Sequence, residues 1–556
     1  MFKGHPKGLY VAFFTNMGER FGYYTMLAIF VLYLQSKFGW TTTEAGHVYG
    51  IFLFGIYFLP LLGGYIADNV LGYGKTILLG IIIMFTGYAL LAMPGTGEVF
   101  IYVALAVISL GTGFFKGNLQ ALVGNMYDDP KYSAFRDSAF NVFYMGINIG
   151  AFFAPSAAEG MRNWIMGMKG FTYNPAIPDL AHKCLSNTLK NPDQLEQLAR
   201  TQMGAHFTNL TDFSTQYIDS IGRAYNSGFA VAAISMIASL LIFILFRKYY
   251  KSADVTHKQK KAVLGAQVVD LTKSQTKDRL VALGLVFFVV MFFWMAFHQN
   301  GFTLTIFARD YTVATVAKGT AVIFNISTFL PALIVILGVF ILFAKGSSRN
   351  NRIFGGIAAV VAAAAVFFYF FRELTAEGNP ISPEKFQQFN PIFIVFLTPV
   401  VIGIFSYMRK HGTEPSSPVK IGIGMLITAV GFLIMVIASR GLMSPADLKV
   451  QGGVSETLRS PFWLIGTYLT LTVAELFLSP IGISFVSKVA PPQHKGLAQG
   501  GWFGATAIGN LMAGFIGPFW DKWELWQFFM LLVVVTVLSA LIMFSILKRL
   551  EKATTS

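Results

Sequence analysis

The chain has 556 residues, of which 54% are hydrophobic and only 12% are charged. A soluble domain does not combine so little charge with so much apolar surface, so the composition excludes a soluble globular protein. The formal net charge of +15 comes from basic residues in short loops between hydrophobic runs, which is typical of membrane proteins. We therefore expect the lipid bilayer, and no nucleic acid, as a partner.

Apolar runs of about twenty residues, the length that crosses a bilayer core of roughly 30 Å, predict an all-α polytopic membrane protein. The predicted spans, about fourteen in number, cover residues 9–34, 48–66, 76–93, 99–123, 139–158, 228–246, 280–307, 321–343, 353–371, 391–407, 419–437, 462–486, 497–516 and 526–546. The even number places both termini on one side, and the lysines and arginines in the loops on that side predict that it is cytoplasmic. We expect a protein of a bacterial inner membrane whose first helix is retained, because no signal-peptide cleavage site is recognisable.

Two segments interrupt the alternation of helix and short loop. One is a polar connection at about 162–225, and the other is an apolar pair of helices at about 321–371 that contains "IAAVVAAAAVFFYFF". Because this pair carries almost no charge within its helices, we expect it at the periphery, facing lipid. Without it, twelve helices remain. The predicted domains are a six-helix bundle at 1–247 with the polar connection as an outer loop, a basic cytoplasmic linker at 248–278, and a second bundle at 279–552 with the inserted pair.

The sequence offers no motif for ATP-driven transport. The nearest match to a phosphate-binding loop is "GYGKT" at residues 72–76, but Asn69 stands where such a loop needs its first glycine. The only cysteine, Cys184, excludes an intrachain disulfide and a cysteine-based metal cluster. We expect no metal and no organic cofactor.

The loop "GGYIADNVLGYGK" at residues 63–75, between the second and third predicted helices, resembles the loop signature of the major facilitator superfamily. The resemblance implies that Asp68 braces one conformation of the bundle. It also implies a major facilitator fold, in which two six-helix halves rock about a central site near the membrane midplane.

Four charged residues fall in the interior of predicted spans, away from their ends, where an unpaired charge costs several kcal/mol unless it faces a wet cavity. They are Glu19, Arg20, Lys116 and Glu475. Glu19 and Arg20 are consecutive and point about 100° apart on a helix, so we expect both to border a cavity without neutralising each other. The alternative is a set of internal ion pairs that hold helices in register. Polar residues in the same predicted core favour a binding pocket over such ion pairs. These residues are Tyr23, Tyr24, Tyr57, Asn148 and Asn390.

The charges predict a ligand with two opposite poles. Arg20 and Lys116 form a positive pole in the first half, and Glu475 forms a negative pole in the second half. Arginine suits a bidentate contact with a carboxylate, and a glutamate suits an ammonium group. Asn148 and Asn390 carry both donors and acceptors, which suits a peptide bond. A short peptide matches both poles and the centre.

Six segments together resemble the proton-dependent oligopeptide transporter family, over nearly the whole chain outside the outer loop and the inserted pair. They are "GERFGYYTM", "GTGFFKGN", "RDSAFNVFYMGINIGAFFAP", "FQQFNPIFIVFLTPV", "EPSSPVKIGIGM" and "ELFLSPIGISFVSKVAP". The resemblance implies uptake of di- and tripeptides by alternating access, with the proton as the coupling ion. It implies a carboxylate site at Arg20 and Lys116, an amino-terminus site at Glu475, backbone contacts from Asn148 and Asn390, and side-chain pockets lined by Tyr23, Tyr24, Tyr57 and Trp502.

The chain departs from this family at three positions. Asn16 replaces the first glutamate of the first-helix signature, Leu27 replaces a frequent arginine, and His298 replaces the acidic partner of that arginine. The candidate proton sites are then Glu19, Glu475 and His298. Histidine titrates in the useful pH range, although a neutral histidine bonded to a neighbouring helix is an equal alternative.

Two other functions remain open. A carrier of another small zwitterion or anion such as nitrate, with altered or absent proton coupling, fits the three departures, although Glu475 has no use in binding a simple anion. A peptide receptor that does not transport is the second alternative, but nothing after Ile546 resembles a signalling domain. We expect a monomer and no enzymatic activity.

Overall fold

The computed structural model describes residues 4–95, 97–255, 273–344, 347–451, 455–491 and 495–555. Its first half consists of α1 (Lys7–Phe38), α2 (Thr42–Phe58), α3 (Pro60–Ile66), α4 (Tyr73–Ala92), α5 (Glu98–Met126), α6 (Arg136–Met168), α7 (Ile177–Leu185), α8 (Pro192–Met203) and α9 (Leu210–Leu245). A π-helical turn at Ala67–Leu71 follows α3, and α2 and α3 together form one span.

The second half begins at α10 and contains a small two-stranded sheet. Its elements are α10 (Lys273–Phe297), α11 (Thr303–Asp310), β1 (Thr315–Val316), α12 (Lys318–Ala321), α13 (Ile326–Phe343), α14 (Arg349–Arg372), β2 (Asn379–Pro380), α15 (Phe389–Lys410), α16 (Ser417–Ser439), α17 (Pro445–Gln451), α18 (Phe462–Val489), α19 (Lys495–Phe515), α20 (Gly517–Lys522), α21 (Leu525–Ser545) and α22 (Leu547–Thr555). β1 and β2 pair antiparallel. A 3-10 turn at His298–Gly301 separates α10 from α11, and another at Pro383–Gln388 precedes α15.

Fourteen helical segments are long enough to cross a membrane in the part of the chain that the structure describes. Eleven helices meet the length and hydropathy requirements for a span. The other three are α1, α6 and α19, whose polar residues lower their hydropathy but whose lengths of 32, 33 and 21 residues are sufficient. The predicted all-α polytopic fold, with two six-helix bundles and an inserted pair, is confirmed. We call the membrane side where α1 begins the near side and the side where α1 ends the far side.

The predicted outer loop at about 162–225 is largely helical. α6 extends to Met168, α9 begins at Leu210, and α7 and α8 fill the connection between them. Asn209 caps α9 by accepting a hydrogen bond from the backbone N–H of Asp212 at 2.8 Å. The prediction of a loop was wrong. A polar sequence shows where a helix leaves the bilayer, but the helix can continue beyond that point.

α7 connects the two halves on the far side. Lys183 of α7 donates from Nζ to the backbone carbonyl of Lys449 in α17 at 2.6 Å and pairs with Asp179 at 2.5 Å. The far-side connection is therefore docked against the second half.

Part of the predicted linker at 248–278 is attached to the first half. Asn125 donates to the carbonyls of Ala253 and Val255, both at 2.9 Å, and Asp254 accepts from the backbone N–H of Gly74 at 2.8 Å. Residues 256–272, which carry most of the predicted basic linker, lie outside the described residues. Among the described residues, the second half starts with α10 at Lys273, and the predicted boundary at 279 stays a prediction.

The inserted pair, α13 and α14, lies at the periphery as predicted. The two helices approach closely at Gly338, where an added Cβ would lie 2.5 Å from the carbonyl oxygen of Gly355. Large apolar side chains point away from this contact, and Phe354 is 72% exposed. An exposed apolar surface of this kind is suited to lipid contact.

The two halves pack tightly on the far side through glycines of α2 and α19. A Cβ added to Gly514 of α19 would lie 2.0 Å from the carbonyl oxygen of Gly46, and one added to Gly50 would lie 2.8 Å from the carbonyl of Leu511. Small residues allow backbones to approach in this way. The backbone contact therefore depends on glycine at these positions.

We predict that Gly514→Ala lowers the thermal unfolding temperature of the purified protein in detergent, because the new methyl group overlaps the α2 backbone. The matched control is Gly504→Ala in the same helix, since an added Cβ there meets no atom within 4 Å. This control should match or exceed the unfolding temperature of the wild type, because alanine favours a helix over glycine. Equal unfolding temperatures for the two variants would contradict the predicted overlap.

Candidate functional site

A cavity of about 220 Å³ lies between the two halves. The first half contributes side chains from α1, α2, α5 and α6, and the second half contributes them from α10, α15, α18 and α19. Ten of the predicted site residues line it, namely Arg20, Tyr23, Tyr24, Tyr57, Lys116, Asn148, His298, Asn390, Glu475 and Trp502. Glu19 and Asp68 do not.

Glu19 and Arg20 form a buried bidentate ion pair on α1. Arg20 Nε lies 2.5 Å from Glu19 Oε2, and Nη2 lies 2.7 Å from Oε1. The expectation that the two charges would not neutralise each other was wrong, because both side chains are long enough to bend together from adjacent positions. Glu19 lies fully buried behind Arg20. The pair uses Nε and Nη2, which leaves Nη1 of Arg20 for a ligand.

Lys116 on α5 has an aromatic partner. Its Nζ lies 3.6 Å from the centre of the Tyr57 ring, within the range of a cation–π interaction. Lys116 forms no ion pair with any carboxylate of the described residues. Its charge is therefore available to an anionic group that enters the cavity.

Glu475 on α18 is positioned by Asn390 of α15. Asn390 Nδ2 donates to Glu475 Oε2 at 3.0 Å and to Thr472 Oγ1 at 3.1 Å. These two bonds use both N–H groups of the amide, so the oxygen is the only part of Asn390 that remains for a ligand. Glu475 keeps Oε1 as an acceptor.

Asn148 and Trp502 are held in place within their own halves. Asn148 Nδ2 donates to the carbonyl of Tyr144, one helical turn earlier, at 3.1 Å. The Trp502 indole lies in the space above Gly482, where an added Cβ would come within 2.0 Å of the ring. Glycine at position 482 therefore sets the depth of the indole in the cavity wall.

His298 faces the cavity from the turn between α10 and α11. Its Nδ1 lies 3.2 Å from the carbonyl of Trp294, so this nitrogen carries the hydrogen and Nε2 can accept one. Its ring centre lies 6.1 Å from that of Tyr57. Leu27 also lines the cavity. Because leucine carries no charge, Leu27 cannot form an ion pair with His298.

Asp68 lies away from the cavity, in the π-helical turn before α4. Tyr73 donates from its hydroxyl to Asp68 Oδ1 at 2.6 Å, a contact within the first half. The predicted role of Asp68 in conformational gating stays a prediction.

Helical spacing points to three cavity residues that the sequence analysis missed. Gln120, Tyr144 and Ser479 line the cavity, and each lies four residues from a predicted site residue on the same helix. The signal was present, because positions four apart share a helix face.

Two further cavity residues, Tyr468 and Tyr49, carried no such signal. Tyr468 donates from its hydroxyl to the carbonyl of Asn300 at 2.8 Å, and Tyr49 donates to the carbonyl of His298 at 3.2 Å. Both contacts depend on the interruption between α10 and α11, which satisfies its backbone groups through side chains of other helices. Hydropathy did not predict this interruption, since the whole segment reads as one apolar run.

A family model described as the POT family matches residues 74–268 and 362–529. The peptide transporter YePEPT of Yersinia enterocolitica is 27% identical over 540 residues, covering 93% of this chain and 88% of that protein. The dipeptide and tripeptide permease A of Escherichia coli K12 is 26% identical over 513 residues, covering 92% of this chain and 84% of that protein.

Solved structures share the fold. A mutant of the peptide transporter POT in complex with alafosfalin superimposes with a TM-score of 0.66 at 22% identity, covering 100% of this chain and 97% of that one. A POT family transporter in complex with 5-aminolevulinic acid gives a TM-score of 0.67 at 19% identity, covering 99% and 98%.

The two opposed poles predict that a ligand needs both charges. Dialanine should raise the thermal unfolding temperature of the protein more than N-acetyl-dialanine does, since the acetylated peptide has no ammonium group for Glu475. In Glu475→Gln the affinity for dialanine should fall about tenfold or more, the usual effect of losing a charged hydrogen bond, and the two peptides should become similar. Glu377→Gln, an exposed site outside the cavity, is the control. Equal stabilisation of the wild type by both peptides would contradict the assignment of Glu475.

Proposed function

Because the chain belongs to the POT family, we propose that it is a secondary active transporter that carries di- and tripeptides into the cell by symport with protons. Its relatives are transporters and not enzymes, and peptide transport is the activity that their names support. The single observation that carries the proposal is the cavity between the halves, with Lys116 on one wall and Glu475 on the other.

In the proposed complex the peptide lies across the cavity. Its carboxylate contacts Nη1 of Arg20 and Nζ of Lys116, and its ammonium group contacts Oε1 of Glu475. The oxygen of Asn148 accepts from the peptide backbone. Asn390 acts chiefly by orienting Glu475, because both of its N–H groups are already used. The side-chain pockets are those lined by Tyr23, Tyr24, Tyr57 and Trp502.

Glu19 is the proposed coupling site. In the empty protein Arg20 balances the charge of Glu19 through two hydrogen bonds. A peptide carboxylate competes for the same guanidinium, and a buried carboxylate that loses its partner is stable only when protonated. Binding of peptide and binding of a proton therefore favour each other in this scheme.

The proposed setting is a bacterial inner membrane, with the near side and both termini in the cytoplasm and the protein acting as a monomer. Alternating access then exposes the cavity to each side in turn. The second candidate function is a carrier of another small zwitterion with altered or absent proton coupling. It is supported by Leu27 and His298, which face the cavity and cannot form an ion pair with each other.

The proposal predicts that proteoliposomes accumulate labelled dialanine under an inward proton gradient and that an ionophore abolishes the accumulation. Equilibration without accumulation would favour the uncoupled carrier. No entry at all would reject peptide transport.

Glu19→Gln tests the coupling site. The variant should lose gradient-driven accumulation of dialanine and keep exchange at equal pH, since the neutral amide still contacts Arg20 but cannot bind a proton. Glu377→Gln is the matched control and should behave as the wild type. Retained accumulation in Glu19→Gln would remove Glu19 from the mechanism.

His298 tests a second route for the proton. If its free Nε2 accepts the coupling proton, His298→Gln should remove one titrating group and flatten the dependence of uptake on pH. The control is His411→Gln, an exposed histidine after α15. An unchanged profile would identify His298 as a neutral residue held by Trp294.

A further inference from the structure

Three buried polar side chains lie close to Glu19 but outside the cavity. Thr15 and Asn16 belong to α1, and Tyr88 belongs to α4. Thr15 and Tyr88 are 0% exposed and Asn16 is 4% exposed, and none of the three lines the cavity. We call these three residues the rear group. Like Glu19, the rear group lies inside the first half and is closed to solvent.

Each member of the rear group has a hydrogen-bonding atom without a partner. Thr15 Oγ1, Asn16 Nδ2 and the Tyr88 hydroxyl are buried and form no hydrogen bond with any of the described residues. All three of these groups can donate a hydrogen bond. A buried donor that is left unbonded destabilises the state in which it occurs. Three such donors around one carboxylate indicate that an acceptor reaches them in another state of the protein.

Glu19 is placed to be that acceptor. Thr15 and Asn16 precede it by four and three positions, so they are its neighbours on the helix surface. Side chains on a helix lean toward its N-terminal end, so an unrestrained Glu19 side chain lies over the turn that contains Thr15 and Asn16. Tyr88 approaches from α4, and its hydroxyl interacts electrostatically with both Glu19 and Arg20.

In this structure Arg20 holds Glu19 away from the rear group. Glu19 Oε2 accepts from Arg20 Nε at 2.5 Å, and Oε1 accepts from Nη2 at 2.7 Å. Both oxygens therefore contact Arg20 while the donors of the rear group stay unbonded. The amide of Asn16 permits the reverse arrangement, since it can donate to a carboxylate, whereas an ionised acid at this position would repel it.

We propose that the rear group is a second binding position for the Glu19 carboxylate, which moves there when a ligand carboxylate takes over Arg20. In this position Glu19 accepts hydrogen bonds from Asn16 Nδ2 and from the hydroxyls of Thr15 and Tyr88. The proposal rests on the proposed transport function only for the ligand that displaces Glu19, since removal of the Arg20 guanidinium should release Glu19 in the same way.

The second position sets the strength of proton coupling. A carboxylate released from Arg20 into apolar surroundings must take up a proton, but one that accepts several hydrogen bonds can stay ionised. The groups whose charge acts on Glu19 are Arg20 and Lys116, together with the hydroxyls of Tyr24 and Tyr88. We therefore expect peptide to bind partly without a proton, and the donors of the rear group determine that share.

The first test needs no ligand. It compares the thermal unfolding temperature of Tyr88→Phe in the wild type and in Arg20→Met, where Glu19 has lost its partner. In the wild type, Tyr88→Phe should raise the unfolding temperature by about 1 °C or more, because it removes an unbonded buried donor. In Arg20→Met the same substitution should lower it, because there the hydroxyl bonds Glu19. Asn16→Leu should show the same reversal.

Tyr311→Phe is the matched control. Tyr311 is also 0% exposed and its hydroxyl also has no partner among the described residues, but it lies directly after α11 in the second half. Its substitution should have the same effect in both backgrounds. Equal effects of Tyr88→Phe in the two backgrounds would overturn the second position. If Arg20→Met does not fold, the measurement with dialanine decides the question.

That measurement compares the affinity for dialanine at one acidic and one alkaline pH. In Asn16→Leu the ratio of the two affinities should exceed that of the wild type by about threefold or more, because Glu19 without this donor needs the proton more often. Tyr311→Phe should keep the wild-type ratio. An unchanged ratio in both Asn16→Leu and Tyr88→Phe would overturn the proposal. A reversal in the first test, in a protein that does not bind dialanine, would support the second position and count against the proposed substrate.

Discussion

The cost of placing a charge in an apolar bundle governs this protein. Most of its interior charges have a partner of opposite sign, such as Glu19 with Arg20 and Arg162 with Glu384. Lys116 and Glu475 are different, since each faces the cavity with only neutral polar or aromatic groups in contact. An interior charge without a counter-charge is tolerated where a ligand or water completes it. The candidate functional site is therefore the place where buried charges lack a counter-charge from the protein itself.

The pattern of pairing also distinguishes contacts within each half from contacts between the halves. In the cavity, the contacts that fix the charged residues stay within one half: Glu19 holds Arg20, Tyr57 lies under Lys116, and Asn390 holds Glu475. On the far side, two ion pairs, Arg162 with Glu384 and Lys385 with Glu159, run from one half to the other. Each cavity wall therefore keeps its charged residues fixed to the helices of its own half. This arrangement is what a rocking motion of two rigid halves requires.

Much of this architecture could be predicted from the sequence. Apolar length predicted the spans, because the bilayer imposes one scale on every helix, and charges within spans predicted most of the cavity. The pairing of Glu19 with Arg20 could not be predicted. The position of a residue on a helix fixes the direction of its Cα–Cβ bond, but it does not fix where the charged group of a long side chain lies. The ion pairs between the halves were missed for a related reason. Arg162 and Glu384 lie just outside predicted spans, where a charge looks like an ordinary loop residue until the tertiary contact buries it.

The ion pairs between the halves on the far side have a consequence for how the membrane potential acts. A potential of 100 mV does work of about 2.3 kcal/mol on each elementary charge that crosses it. α6 contributes one negative and one positive residue to these pairs, and so does the turn before α15. A movement of one half relative to the other would therefore carry no net charge from these residues along the membrane normal. In the proposed transport cycle the electrical driving force would act on the contents of the cavity, where a bound proton or a charged ligand side chain changes the net charge that moves.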